Sequence, residues 1–301
     1  MAIINFNLAD LDGSNGFIIH EAPQDYRFGA SVSSAGDING DGFDDFIVGA
    51  PGGLAGYLEY YNVPGSSYVV FGKASGFDAA MNLSDLDGSN GFHLDNAEND
   101  DFLGISVSSA GDINGDGFDD VIVGARGAEP NYYFGPGSGA GSSYVVFGKA
   151  SSFDATMNLS DLDGSNGFRL DGEAVDDYSG RSVSNAGDVN GDGFDDLVIG
   201  DSTAEPNGPS SGSSYVVFGK MSGFDATVNL SDLDGSNGFR LDGVAAGDQS
   251  GGSVSNAGDV NGDGFDDVII GAARADPNGY ASGSSYVVFG KASGFDAVMD
   301  L

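Results

Sequence analysis

The residues with the clearest chemistry are the acids of a nine-residue segment, Asp37 to Asp45, which recurs almost unchanged from Asp112, Asp188 and Asp259. Oxygen-bearing side chains stand at its first, third, fifth and ninth positions, and glycine stands at the sixth. A hard cation such as Ca²⁺ takes about six to eight oxygen ligands, and a short loop with a sharp bend can supply most of them. A main-chain carbonyl at position seven would add another. The segment therefore predicts four calcium loops.

The candidate ligands are five residues in each loop, with the phenylalanine acting through its carbonyl oxygen. They are Asp37, Asn39, Asp41, Phe43 and Asp45; Asp112, Asn114, Asp116, Phe118 and Asp120; Asp188, Asn190, Asp192, Phe194 and Asp196; and Asp259, Asn261, Asp263, Phe265 and Asp267. We expect one ion in each loop, about four in all. Because position three is Asn, we expect an affinity on the order of 10⁻⁴ M or somewhat tighter, as in extracellular modules.

An EF-hand loop shares the first six positions, but it requires a bidentate Glu at position twelve and a helix on each side. Position twelve here is Val48, Val123, Ile199 or Ile270, each within a short apolar run. A dockerin-type loop fails for the same reason. The loops therefore end at position nine and lead into strands. A hairpin rich in Asp and Asn that holds no metal is the simpler alternative, since these residues stabilise turns unaided.

The net charge of −36 is large for a compact chain, and bound divalent ions would offset part of it. Folding and calcium binding are therefore expected to be linked. Only 10 Lys and Arg residues are present, which argues against nucleic-acid partners. No run is apolar and long enough for membrane insertion. The chain has no Cys, so disulfides cannot stabilise it.

The loop starts are separated by 75, 76 and 71 residues, so residues 1–301 are interpreted as one domain of four repeats. In the third repeat the pattern predicts four strands, at 167–171, 181–186, 196–200 and 214–219, which form one antiparallel sheet. Gly is abundant at 52 residues and no segment has a convincing helical period. These features indicate an all-β protein.

The strands that follow each loop are apolar at successive positions, as in Phe46-Ile47-Val48 and Tyr68-Val69-Val70-Phe71. Both faces of their sheet should therefore be buried. Sheets stacked radially satisfy this pattern, so we predict a β-propeller, most simply one of four blades with four antiparallel strands each. The strand before each loop is built from small residues, and we place it nearest the axis.

Both ends of the chain carry part of the repeat. Residues 5–13 match 81–88, and residues 298–301 match the beginning of the same segment. The terminal strand could close a ring within the chain, or it could be exchanged between molecules. An open partial ring is a third arrangement.

Phe28-Gly29, the calcium loop and Gly49-Ala50-Pro51 together resemble the FG-GAP repeat, the blade unit of the integrin α-subunit propeller. The Tyr-Val-Val-Phe-Gly-Lys strands look like those of secreted bacterial members. The other copies depart from the motif, for example at Leu103-Gly104 and at Gly200-Asp201-Ser202. These departures lie outside the loops, so they concern blade packing rather than calcium.

The resemblance implies that the calcium loops lie between the first and second strands of each blade, and that partners bind the opposite face. Long, variable loops lie at that opposite end by strand alternation, and they suggest a surface for a protein or glycan ligand. Local packing or contact with like subunits is an equal alternative. The aromatic residues of these loops are Tyr57, Tyr60, Tyr61, Tyr132, Tyr133, Phe134 and Tyr280.

Acidic residues also occur at that end, in the loops that join one blade to the next. A further metal ion or a cationic ligand could use them, but a solvated acidic rim is the favoured interpretation. They are Glu21, Asp25, Asp100, Asp101, Asp176, Asp177 and Asp248.

No Ser, Cys or His constellation suited to catalysis is visible, so we predict a protein that is not an enzyme. The favoured function is a calcium-binding extracellular module, secreted or at the cell surface, for adhesion or recognition. The alternative is a structural subunit that assembles into filaments or a surface layer through terminal strands and loop contacts. An accessory domain of an enzyme is a third interpretation.

Overall fold

Short strands follow one another along the chain in the computed structural model, which describes residues 7–20, 27–54, 62–74, 76–95, 101–129 and 139–301. The strands before the third calcium loop are β1 (Ile18–His20), β2 (Ser31–Gly36), β3 (Asp45–Ala50), β4 (Gly53–Leu54), β5 (Asn62–Val63), β6 (Ser66–Val70), β7 (Ala80–Asn82), β8 (Gly91–Asp95), β9 (Leu103–Gly111), β10 (Asp120–Ala125), β11 (Ser142–Val146), β12 (Thr156–Asn158), β13 (Gly167–Asp171) and β14 (Ser182–Gly187). The remaining strands are β15 (Asp196–Asp201), β16 (Ser213–Val217), β17 (Thr227–Asn229), β18 (Gly238–Asp242), β19 (Ser250–Gly258), β20 (Asp267–Ala272), β21 (Ser284–Val288) and β22 (Val298–Asp300).

The helices of the described chain are single 3-10 turns, at Leu8–Asp10, Leu83–Asp85, Leu159–Asp161 and Leu230–Asp232. None of these described helices has the length or the apolar character to cross a bilayer. The protein is therefore all-β, as predicted.

The sheets form four blades of the β-propeller type. Blade 1 has the strand order β2-β3-β6-β8-β12, blade 2 has β9-β10-β11-β13-β17, and blade 3 has β14-β15-β16-β18-β22. Blade 4 is β19-β20-β21, and β1 and β7 form a separate pair. In blades 1 to 3 the first four strands are antiparallel, as predicted, and a fifth strand of three residues runs parallel to the fourth. Strands of three residues show no periodic pattern, so this fifth strand was not predicted.

The fourth strand of each complete blade comes from the following repeat, which corrects the sequence prediction. The predicted strand at 167–171 is β13, and it pairs with β11 of blade 2 rather than with the sheet of its own repeat. The physical reason is the polar turn before it, which reverses the chain and returns Gly167 opposite Val146. The segment between β13 and β14 then crosses to blade 3.

Apolar contacts between neighbouring blades form the core. The first strands contact one another in the order β2, β9, β14, β19, in agreement with their predicted place nearest the axis. Strands β10 and β11 are buried along their whole length, as expected for sheets covered on both faces. Phe92 and Leu94 of blade 1 lie in the same cluster as Val121 and Val123 of blade 2. Each such side chain contributes about 1.5–3 kcal/mol on burial, so stacking is a major source of stability.

Three phenylalanine rings close the outer part of each junction. In blade 1, Phe92 stacks on Phe153 with ring centroids 4.4 Å apart, and Phe71 lies 5.9 and 5.7 Å from these two rings. Lys149 places its Nζ over the Phe153 ring, 4.6 Å from the centroid. The same group of three rings recurs twice, as Phe147, Phe168 and Phe224 and as Phe218, Phe239 and Phe295.

Candidate calcium loops and a pocket at the opposite end

Each predicted calcium loop joins the first strand of a blade to the second, so all four lie at the same end of their blades. In the first loop both carboxylate oxygens of Asp37 accept backbone N–H groups, from Asp41 and Gly42, at 2.9 Å each. Asn39 Oδ1 accepts the Asp41 N–H at 2.8 Å, and Asp41 Oδ1 accepts the Phe43 N–H at 2.9 Å. These bonds turn the first, third and fifth side chains to the inside of the loop.

The same pattern recurs in the other loops, where the third and fifth side chains also contact each other. The amide nitrogen of Asn114 lies 3.0 Å from Asp116 Oδ2, and the corresponding distances are 3.0 Å for Asn190 and 2.8 Å for Asn261. The Oδ1 of each of these amides accepts the backbone N–H of the same aspartate at 2.8 Å, which fixes the orientation of the amide. The third and fifth side chains therefore lie against each other inside the loop, and a cation bound there would take the place of the amide N–H.

The carboxylate at position nine is buried and tied to the backbone on both sides. Asp120 accepts the Gly148 N–H at 2.8 Å and the Ile113 N–H at 3.0 Å, and Asp45, Asp196 and Asp267 make the corresponding pairs of bonds. It thereby joins the calcium loop to the end of the third strand. Because a carboxylate accepts about four hydrogen bonds, lone pairs remain for a cation.

Burial raises the pKa of Asp45, Asp120 and Asp196 above the ordinary value of an aspartate, and the neighbouring loop aspartates raise it further. The pKa reaches about 7 for Asp45 and about 8 for Asp120 and Asp196. A nearby divalent cation would stabilise the ionised forms and lower these pKa values. The donor set therefore fits Ca²⁺. Across the described ranges, however, no group of three or more acidic or histidine side chains is placed closely enough to hold a metal ion.

The carboxylate at position eight has a role that sequence reasoning missed. Asp119 of blade 2 accepts the N–H of Asp37 in blade 1 at 2.8 Å, and the equivalent bonds are 2.9 Å from Asp112 to Asp195 and from Asp188 to Asp266. The loops therefore connect neighbouring blades as well as neighbouring strands. The repeated Asp-Asp pair, in which only the second Asp had an assigned role, was the available signal.

Glycine is required where these carboxylates reach the preceding blade. Gly36 ends β2 with φ +67°, at a bulge in its pairing with β3. A Cβ atom there would lie only 2.2 Å from Asp119 Oδ2. Gly111 meets Asp195 in the same way.

Of the seven predicted aromatic binding residues, one is among the described residues. Tyr57, Tyr60, Tyr61, Tyr132, Tyr133 and Phe134 lie outside the described residues. Tyr280 is described, and its side chain is almost fully exposed.

A pocket of about 450 Å³ lies at the opposite end of blade 3 from its calcium loop. Acidic residues on two loops line it, among them Glu173, Asp177 and Glu205, together with Tyr215 and Arg240. Arg240 donates to Glu173 at 2.8 Å and to Asp242 at 2.7 Å.

Asp201 lies fully buried beside this pocket, at the end of β15. Its Oδ1 accepts the Thr203 and Ala204 N–H groups, whereas its Oδ2 is buried without a hydrogen-bond partner among the described residues. Burial first, and then the charge of Asp177, raise the pKa of Asp201 well above its ordinary value. Burial likewise raises the pKa of Asp177 to about 6, and Glu173, Glu205 and Asp176 add to this shift. The other three repeats have Ala50, Ala125 and Ala272 at the position of Asp201.

The predicted solvated acidic rim is wrong for three of its members. Asp101, Asp177 and Asp248 are buried, because the loops that carry them fold back over the ends of the strands. Asp176 is exposed, as expected of a rim residue. Glu21, Asp25 and Asp100 lie outside the described residues.

Comparison with known proteins identifies one repeated family along the chain. The model of the FG-GAP repeat matches residues 28–70, 103–146, 179–217 and 250–288. Human integrin alpha-7 is 33% identical over 174 residues, which are 58% of this chain and 12% of that protein. Integrin alpha-PS5 of Drosophila melanogaster is 38% identical over 109 residues, 36% of this chain and 10% of that protein. Integrin alpha-5 of Xenopus laevis is 35% identical over 104 residues, 34% of this chain and 9% of that protein. The chain thus matches about a tenth of the length of these relatives.

Proposed function

The chain belongs to the FG-GAP repeat family, and on that premise we propose that it is a calcium-binding extracellular module for adhesion or recognition. Its calcium loops stabilise the array, and the opposite end of the blades binds a partner. Its role is binding and not catalysis. The observation that carries the proposal is the loop geometry, in which the oxygen-bearing side chains at positions one, three and five turn to the inside of the loop in every repeat.

Calcium binding is supported by the charge of the loops. Position nine places a buried carboxylate beside two further aspartates in each loop, and burial with these neighbouring charges raises the pKa of Asp45, Asp120 and Asp196, so ionisation is unfavourable there. Calcium at each loop would remove this cost. With an affinity on the order of 10⁻⁴ M, such loops would fill outside cells and stay largely empty at cytosolic calcium levels.

Calorimetric titration of the chelator-treated protein with CaCl₂ tests the metal. We expect about four bound ions and a higher melting temperature, since each site at a hundredfold excess of ligand over Kd contributes about 2.7 kcal/mol. Asp41→Asn should remove one ion from the stoichiometry, whereas Asp85→Asn, outside the loops, should leave it unchanged. Equal melting temperatures in CaCl₂ and in chelator, with no heat of binding, would refute calcium binding.

The pocket of blade 3 supports recognition of a positively charged group on a protein ligand. Several carboxylates face it, and the unpaired Oδ2 of Asp201 lies beside it. The ammonium group of a lysine side chain could donate to several of these oxygens at once. An alanine at position 201, as in the other repeats, would remove this oxygen.

Fluorescence anisotropy with a panel of labelled lysine-containing peptides tests this recognition. We expect tighter binding of lysine peptides than of their acetylated forms, and at least tenfold weaker binding to Asp201→Ala. Asp225→Ala, an exposed site elsewhere, is the matched control. Equal affinity for acetylated and unmodified peptides would overturn the cationic ligand. If the protein bound glycans on an array but none of the peptides, its ligand would be a carbohydrate and not a lysine-containing protein.

A further inference from the structure

Blade 4 and the strand pair β1–β7 have between them as many strands as one complete blade. Blade 4 has three strands and the pair has two, whereas each complete blade has five. The pair has the register of the last two strands of a complete blade: Ile19 lies opposite Met81, as Leu94 of β8 lies opposite Met157 of β12. Strand β1 therefore corresponds to a fourth strand and β7 to a fifth. The two ends of the array together hold the strands of one complete blade.

The edge strand of blade 4 is open where its counterparts are covered. Strands β6, β11 and β16 each lie between two strands, and all their residues are buried. Strand β21 pairs in the described chain with β20 alone, and exposed residues alternate along it. An unpaired edge of this kind accepts another strand.

The aromatic groups are divided between the ends in the same way. Phe17 stacks on Phe77 with ring centroids 4.3 Å apart, which reproduces the stacked pair of each complete group. The third ring of the complete groups is 6–8% exposed, as Phe71, Phe147 and Phe218. Its counterpart at the end of blade 4 is Phe289, which is 54% exposed. One end therefore presents the pair of rings, and the other presents the single ring that packs on such a pair.

The inner strands show the same complementarity. Val107, Val183 and Val254 are 5–6% exposed at the blade junctions, whereas the equivalent Val32 of blade 1 is 68% exposed. On the other side of the junctions, Ile38, Ile113 and Val189 are at most 1% exposed, and the equivalent Val260 of blade 4 is 56% exposed. Each end thus exposes one half of the apolar surface that the internal junctions bury.

Hydrogen-bonding groups are also left over in matching sets. At the first junction Asp119 accepts the Asp37 N–H at 2.8 Å, and Ser31 Oγ accepts the Val107 N–H at 2.9 Å. The next two junctions repeat both bonds. The first end of the array consists of β1, β7 and the uncovered side of blade 1. By the same pattern, it retains the Asp44 carboxylate and the Val32 N–H. The last end consists of the uncovered side of blade 4, and it retains the Asp259 N–H and Ser253 Oγ. The Asp259 N–H would donate to the Asp44 carboxylate, and Ser253 Oγ would accept the Val32 N–H.

We propose that the first end of one molecule docks on the last end of a second copy of this chain. Strand β1 of one copy pairs antiparallel with β21 of the other, with Ile18 opposite Tyr286, as Tyr68 pairs with His93 within blade 1. The shared blade then has five strands and a complete aromatic group. The contact joins two different surfaces, so it builds rings or filaments rather than closed isologous dimers.

A second copy is the partner because the two ends lie apart within one molecule. Ile19 and Met81 pack on blade 1, in the cluster that contains Tyr68 and Leu83. In the described chain the inner strands contact each other in the order β2, β9, β14, β19, without a comparable contact between β19 and β2. This assembly goes beyond the proposed recognition function and does not depend on the pocket of blade 3.

Complementary surface variants test the proposal by analytical ultracentrifugation in calcium. We expect the wild type to form species larger than the monomer as concentration rises. Val32→Asp blocks the first end and Phe289→Asp blocks the last end, so each variant alone should stay monomeric. Mixed, they should form a one-to-one dimer through their intact ends. Both residues are exposed, and circular dichroism checks that the variants fold. A wild type that remains monomeric at all concentrations, or a mixture that forms no dimer, would overturn the proposal.

Disulfide trapping tests the register and separates exchange from ring closure. Paired residues on antiparallel strands have Cα atoms roughly 4.5–5.5 Å apart, within reach of a disulfide. The chain contains no Cys, so Ile18→Cys and Tyr286→Cys each introduce a single thiol. A mixture of the two variants should give a cross-linked dimer on oxidation, and Ile18→Cys mixed with Met221→Cys should not. Cross-linking confined to single molecules that carry both changes would show intramolecular closure and overturn the proposal.

Discussion

The two ends of each blade differ in how strongly the repeats resemble one another. At the calcium-loop end, each loop has the same buried position-nine carboxylate with its pair of backbone donors. At the opposite end, blade 3 alone has a buried Asp where the other repeats have Ala. A feature that is present in every repeat, such as this carboxylate, stabilises the blades. A feature found in one repeat is not required for stacking in the others, which is why we propose recognition of a partner at this end.

Removal of the position-nine carboxylate should have the largest effect on stability. Asp120→Ala leaves the Gly148 and Ile113 N–H groups buried without partners, so we expect a loss of about 3 kcal/mol. Urea unfolding measures this loss in CaCl₂ and in chelator. Asp116→Ala, at an exposed position five, is the matched control, and it should lower stability only in CaCl₂. If Asp120→Ala were harmless in chelator, its backbone bonds would not be structural.

The bond between blades should have a smaller effect, and the chain offers its own control. Asp119→Ala removes the acceptor of the Asp37 N–H, so we expect a loss of about 1 kcal/mol by urea unfolding. Asp44→Ala changes the equivalent residue of blade 1, which is exposed and accepts no such bond from the described residues. It should leave the unfolding midpoint of the monomer unchanged. Equal losses for the two variants would show that the bond between blades contributes nothing.

At the opposite end of blade 3, removal of the Asp201 carboxylate should raise the stability of the fold rather than lower it. The raised pKa of Asp201 means that the folded state holds its proton more tightly than the unfolded state. Below about pH 4 the carboxyl is protonated in both states, so its ionisation does not affect the free energy of unfolding. As the pH rises above that value, the unfolded state ionises first and the folded state loses relative stability. Asp201→Ala should therefore be about 1 kcal/mol more stable than the wild type near neutral pH, and this gain should disappear at low pH.

Thermal melts at about pH 4 and about pH 7 measure this difference, with Asp225→Ala as an exposed control. A variant less stable than the wild type at neutral pH would show that the Asp201 carboxylate stabilises the fold. Such a result would remove the argument that position 201 is kept acidic for a ligand.

The smallest effect is expected at Tyr280. Its side chain is almost fully exposed, so Tyr280→Ala should leave the melting temperature unchanged. A change in binding to the peptide panel would place this loop in the recognition surface. A lower melting temperature would instead indicate packing within the chain.

The repeat pattern allowed much of the fold to be predicted. Successive apolar residues in Tyr68-Val69-Val70-Phe71 indicated a sheet covered on both faces, and β6 is buried as that pattern requires. The small residues of β2 indicated a strand near the axis, where it contacts β9. The assignment of β13 to blade 2 was missed, because a repeat in sequence does not show which neighbouring strand a segment pairs with.

The sequence by itself determined the repeat, the all-β class and the candidate ligands, because these depend on residue type and local spacing. Only the tertiary structure decided that Asp119 bonds to the preceding blade, that Asp201 is buried beside a pocket, and that blade 4 has three strands while β1 and β7 pair separately. These features depend on contacts between residues far apart along the chain. Residue spacing contains no direct record of such contacts, since they form only when neighbouring blades stack.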